Sequence, residues 1–198
     1  DEGYISGNPA RRLKRVKVPR RIKRPYSAEE REHLRCIAQT ERDLALMEVL
    51  YSTDGRIGEV LDLNRSDVDF IGREVIVYGK KSKKERVVCL TEEAAYHLRK
   101  YLEKRVDENQ ALFVSLKAPH ARLTSKAVQA MLRNLGQAAG IHAHPHKFRR
   151  TLLTDASARG MSLQELQAYA GHAKPETTMI YVTVRAAEVK ASFRRLVD

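Results

Sequence analysis

A histidine and a tyrosine nine residues apart, His172 and Tyr181, sit in the stretch GHAKPETTMIY. A phenol can act as a covalent nucleophile, but with an ordinary pKa of about 10 it is weak at neutral pH unless nearby positive charge favours the phenolate. The chain supplies such charge at several places. Arg56 follows a break at Asp54 and Gly55, and Lys80 opens the turn GKKSKKE, with Lys81, Lys83 and Lys84 as neighbours. His146 and Arg149 stand three apart and so share one face of a helix, from which Arg150 is turned by about a hundred degrees. Two arginines, a lysine, two histidines and a phenol can bind an anion, move protons and attack as a nucleophile. Each also has a plain structural reading. Tyr181 could be an amphipathic core residue with its hydroxyl at the surface, Arg56 a salt-bridging arginine, the lysine turn a solvated hairpin and HxxR a helix-cap pair. His142, His144 and His146 in HAHPH lack an acidic or cysteine partner nearby and precede the basic run KFRR, so no metal is expected.

The elements that must position these groups follow from periodicity. Ser27 with Glu30 forms a capping box for a helix to about Thr40, with Leu34, Ile37 and Ala38 inward. Leu44, Leu46, Met47, Val49 and Leu50 make a second, strongly apolar helix, and Ile57, Val60, Leu61 and Leu63 a short third one. The period then changes to two. Residues 68–71, 75–78 and 86–90 predict a three-stranded antiparallel sheet. Thr91 starts a helix to about Val106, and Leu112 to Val114 form a short extended piece. Helices follow from Thr124 or Ser125 to Gly140, from Pro145 to Gly160, and from the Ser162 and Glu165 capping box to Gly171; Pro175 then suits a first helical turn. The fold class is α+β, mainly helical, with a small three-stranded antiparallel sheet.

At 198 residues the chain can bury one sizeable core. Its two cysteines, Cys36 and Cys89, are expected as free, largely buried thiols in a reducing compartment, and no apolar run reaches the ~18 residues of a membrane span. The net charge of +12 makes a polyanion the natural partner, nucleic acid first. Residues 1–25 read as a basic linker or arm. Pro9, Pro19 and Pro25 interrupt it, and it holds Arg11, Arg12, Lys14, Arg15, Lys17, Arg20, Arg21, Lys23 and Arg24. Its start, DEGYISGNPARR, suggests a fragment that lacks a preceding domain.

Arginine in a short helix, lysine in a β-turn, HxxR, then GH and a tyrosine nine residues later resemble, in order and spacing, the catalytic domain of the tyrosine recombinases, the phage integrase family. The resemblance runs from about Ser27 to the C-terminus, giving residues 26–198 as a catalytic domain with the family's N-terminal core-binding domain absent. It implies that Arg56, Lys80, His146, Arg149 and His172 surround a scissile DNA phosphate and that Tyr181 attacks it. Three departures stand out. The family's TGLR is TDGR here at Thr53 to Arg56; Arg150 occupies the position after HxxR; and the lysine turn is one residue longer, so Lys83 rivals Lys80 as the general acid.

The implied product is a 3′-phosphotyrosyl ester, formed and resealed without metal, ATP or other cofactor. The implied partner is a double-stranded DNA attachment site, contacted also by the arm cations, Lys81, Lys83, Lys84, Lys147 and Arg150. The implied assembly is a homotetramer on DNA that exchanges its C-terminal segment, with Val189, Phe193, Leu196 and Val197 as the apolar set, or a monomer for the isolated fragment. The setting is the bacterial cytoplasm at the nucleoid, and the arm and PHKFRRT lean toward a phage or mobile element. Rival readings are a chromosome-dimer resolving recombinase, a type IB topoisomerase or telomere resolvase, and a noncatalytic DNA-binding module of the same fold.

Overall fold

The computed structural model describes residues 24–79, 83–181 and 194. The arm cations from Arg11 to Lys23, Lys80 and Lys81, and the apolar set from Val189 to Val197 lie outside the described residues.

Helix α1 (Ala28–Ile37) opens at Ser27, whose hydroxyl accepts from the Glu30 amide at 3.0 Å while the Glu30 carboxylate accepts from the Ser27 amide at 3.1 Å. The two bonds satisfy amides that a helix start leaves open. Helix α2 (Glu41–Ser52) is buried along nearly its whole length and packs against α4 (Glu92–Glu103) and α6 (Pro145–Ala158). A helix apolar on most sides has to be enclosed, so α2 becomes the hub of the fold. It ends at Thr53, and after Asp54 and Gly55 the short α3 (Ile57–Asp62) begins with Arg56 as its N-cap. A 3-10 turn at Arg65–Asp67 leads into the sheet.

Strands β1 (Val68–Asp69), β2 (Glu74–Gly79) and β3 (Lys84–Cys89) are antiparallel in the order β1-β2-β3. Val75 pairs with Val88 and Val77 with Arg86, so Arg86 shares the inward side with three buried valines. The remaining helices are α5 (Ser125–Ala139), α7 (Leu163–Ala170) and α8 (Pro175–Met179). Helix α7 has the Ser162 and Glu165 capping box and stops at Gly171, whose φ of 60° is left-handed. One large core joins α1 to α6 and the sheet, while Leu153, Leu166, Ala170 and Tyr181 form a second, small cluster.

The predicted α+β architecture is therefore present, with differences at element ends. Helix α1 stops at Ile37 because Thr40 is needed as the N-cap of α2, where its hydroxyl accepts from Asp43 at 3.1 Å. Helix α4 stops at Glu103 rather than Val106, which is exposed. Strand β1 is cut short because the Asp69 carboxylate accepts from the Ile71 amide at 2.8 Å and turns the chain. The two thiols are both exposed, not buried as expected. Cys89 follows the inward Val88 and so faces out, and Cys36 lies on the outer side of α1 beside Glu32.

Candidate active site

Arg149, on the second turn of α6, is the largest of the fully buried side chains. Its Nη1 donates to the backbone carbonyl of Asp54 and lies 3.1 Å from the Asp54 Oδ2. Its Nη2 donates to the Ala170 carbonyl at 2.8 Å and meets His172 Nε2 at 2.8 Å. A guanidinium only donates, so Nε2 accepts and the neutral ring carries its proton on Nδ1, facing Thr178 Oγ1 at 2.9 Å. Burial, reinforced by Arg149, Arg56 and Arg86, pushes the His172 imidazole down to about 4 and keeps it neutral at pH 7.

Tyr181 follows the end of α8 in a turn closed by its amide on the Thr178 carbonyl at 2.9 Å. Its ring lies nearly parallel to that of His172, with centroids 6.3 Å apart, and packs among Leu153, Leu166 and Ala170. The phenol is thus brought near His172 and Arg149, as the family resemblance implies, yet it is buried. The expectation that local positive charge favours phenolate does not hold here. Burial pushes the Tyr181 hydroxyl up, and Arg149 and Arg150 offset that only in part.

Arg56 reaches the same region from the start of α3. Its Nη1 binds Glu59 Oε1 at 2.7 Å, its amide donates to Glu59 Oε2 at 3.0 Å, and Arg86 Nη2 donates to that same oxygen at 2.9 Å. Burial alone would raise the Glu59 carboxyl, but these donors hold it below the usual range. The Arg86 side chain passes so near Gly171 that a Cβ there would lie 3.4 Å from it. Sequence reasoning missed Glu59, Arg86 and the role of Asp54. Two signals were available: Arg86 alternates with Val88 and Leu90 on the inward side of a strand, and Glu59 stands one helical turn from Arg56.

The other expected site residues are more scattered. His146 is exposed on the first turn of α6 and acts electrostatically on His172. Lys83, with a left-handed φ of 55°, and Lys84 are exposed at the start of β3. Arg150 is half-buried and donates to the carbonyl of the exposed Arg24 at 3.3 Å. Lys147 differs from the rest. It is buried, 3.1 Å from Glu30 Oε2 and 4.1 Å above the Tyr26 ring, so its ammonium is engaged within the protein. Among the described residues no group of three His, Cys, Asp or Glu is placed to hold a metal ion. What the cluster can do is bind an anion: Arg56, Arg86 and Arg149 face the carboxylates of Asp54 and Glu59 with one positive charge in excess.

The sequence model described as the phage integrase family matches residues 26–188. The chain belongs to the phage integrase family. Among members of that family it is 32% identical over 184 residues to the tyrosine recombinase XerA of Thermococcus kodakarensis, covering 91% of this chain and 65% of that protein. It is 34% identical over 192 residues to the tyrosine recombinase XerC of Shewanella putrefaciens, covering 92% and 63%. The crystal structure of XerA recombinase shares the integrase-family fold with a TM-score of 0.75 at 30% identity, over 92% of this chain and 67% of that one. The Tn1549 transposon integrase in complex with transposon right end DNA has a TM-score of 0.78 at 21% identity, over 92% and 69%. The chain thus spans a little under two thirds of the length of these two curated relatives. No helix among the described residues is long and apolar enough to cross a membrane.

Proposed function

We propose that this chain is the catalytic domain of a tyrosine-type site-specific DNA recombinase, cutting and rejoining duplex DNA through a 3′-phosphotyrosyl intermediate. The observation that carries the proposal is the continuous series Arg149, His172, Tyr181 with Arg56 held beside it, in a chain of the phage integrase family. A phosphodiester repels nucleophiles, and its displacement concentrates further negative charge on the nonbridging oxygens. Arg56 and Arg149 answer both with planar N–H donors already oriented, a class of effect worth roughly 3 kcal/mol per donor. The Tyr181 oxygen attacks phosphorus, its proton passing to a neighbouring base, for which His146 serves, since both ring nitrogens of His172 are engaged by Arg149 and Thr178. The bond to the deoxyribose 5′ oxygen breaks, and that oxygen takes a proton from Lys80 or Lys83. One phosphate ester replaces another, so rejoining needs no ATP, and the guanidiniums supply the positive charge.

The partner in this reading is a duplex recombination site, bound by a homotetramer that exchanges C-terminal segments, in the cytoplasm at the nucleoid. Its arm cations, Lys81, Lys83, Lys84 and Arg150 contact DNA, and residues 1–25 link residues 26–198 to a core-binding domain. Integration of a phage or mobile element and resolution of chromosome dimers are two settings for the same chemistry. The test is a nicked suicide duplex carrying the recombination site. Wild type yields a protein–DNA adduct that survives denaturation and Tyr181→Phe yields none. Normal binding by wild type with no adduct, or an equal adduct from Tyr181→Phe, makes the reading wrong.

A further inference from the structure

Asp54 is the unusual group in this site. It stands where the family pattern TGLR has glycine, it adopts a left-handed φ of 50°, and it is wholly buried. Neither carboxylate oxygen has a hydrogen-bond partner, although Oδ2 lies 3.1 Å from Arg149 Nη1. Buried carboxylates ordinarily collect N–H donors. Here the Arg149 donors go instead to the Asp54 and Ala170 carbonyls and to His172, so the carboxylate is not what aims the guanidinium. It contributes charge. Facing it are Arg149 of α6, Arg86 of β3, and Arg56 and Glu59 at the start of α3, with Tyr169 of α7 and Tyr181 within electrostatic reach and His172 in contact with Arg149.

We propose that Asp54 is a resident anion of the phosphate site, balancing Arg149 when no phosphate is bound and taking up a proton from solvent as the scissile phosphate enters. The inference rests on the phosphate-site reading above. Burial raises the Asp54 carboxyl to about 7 against the pull of Arg149, Arg86 and Arg56. A second anion on the same guanidiniums raises it further by like-charge repulsion, so proton uptake accompanies anion binding. Binding therefore tightens as pH falls through about 7, because the protonated form is the competent one.

Inorganic sulfate is a suitable probe, since its own charge is constant across this range. Its affinity can be read from the Arg149 Nε–H resonance in the full chain. Between about pH 6 and about pH 8 wild-type affinity falls about tenfold, as the protonated fraction of a group near 7 does. Asp54→Asn, which keeps shape without charge, and Asp54→Gly, which suits the left-handed backbone, both bind tightly at the two pH values. Should Asn fail to fold, Gly carries the comparison. A wild-type affinity that is flat with pH overturns the proposal. So does the same tenfold fall in both variants, which would assign it to the histidines, or loss of sulfate binding by both at low pH, which would make the carboxylate a clasp for Arg149. The readout needs no strand cleavage. A protein that gives this sulfate result but no Tyr181 adduct refutes the recombinase reading alone, and an adduct without the Asp54 effect refutes this inference alone.

Discussion

Glu59 does for Arg56 what two backbone carbonyls do for Arg149, fixing a guanidinium in place before any substrate arrives. It also ties Arg56 to Arg86, so one buried carboxylate holds two cations from α3 and β3. Removing one partner of a buried pair costs about 3 kcal/mol or more, but the Arg56 side chain is 39% exposed and its share is screened by water. Glu59→Gln is expected to lower stability by about 2 kcal/mol in urea unfolding and to slow adduct formation at saturating DNA. Unchanged unfolding together with unchanged cleavage would show that the two arginines need no clamp. The residue scale also explains why Tyr181 is protonated in the free protein: burial of a phenol outweighs two arginines at a distance.

At the scale of elements, α8 is only five residues long, and what it does is fix Thr178, which is fully buried and faces His172 Nδ1. Thr178→Val keeps the shape and strands the ring proton. The expected cost is about 1 to 2 kcal/mol in thermal or urea unfolding, with reduced adduct formation; a neutral outcome would mean that Arg149 alone orients the ring. Most elements were legible because their signals are local: the capping boxes at Ser27 and Ser162, Gly140 and Gly171 as left-handed stops, and the change to period two before β2. The residues named from the resemblance, Arg56, Arg149, His172 and Tyr181, do converge. The inward position of Arg86 and the spacing of Glu59 from Arg56 were legible, but their roles and that of Asp54 were not: Arg86 and Asp54 matter through partners 27 and 95 positions away, which no local pattern encodes. Exposure of Cys36 and Cys89 was likewise a matter of which side of an element each falls on.

Across the whole molecule, charge is unevenly spread, with nine of the 37 basic residues between Arg11 and Arg24. DNA affinity should fall steeply with salt. Replacing Arg11, Arg12, Lys14 and Arg15 by glutamine in the full chain is expected to reduce the slope of log affinity against log salt by about 3 to 4, at roughly 0.9 for each phosphate no longer neutralised. An unchanged slope would take the arm off the DNA. The anchoring of Arg149 has a further consequence for the life of the chain. One of its carbonyl partners lies 95 residues before it and the other 21 after it. During synthesis the anion-gripping arginines emerge first, and the carbonyl of Ala170, His172 and finally the nucleophile come last. A nascent or partly unfolded chain therefore holds its cations without a seated Arg149 or an aligned phenol. On the recombinase reading, such a chain would cling to DNA through its cations before it could cut it, because the order of the sequence delivers the nucleophile last.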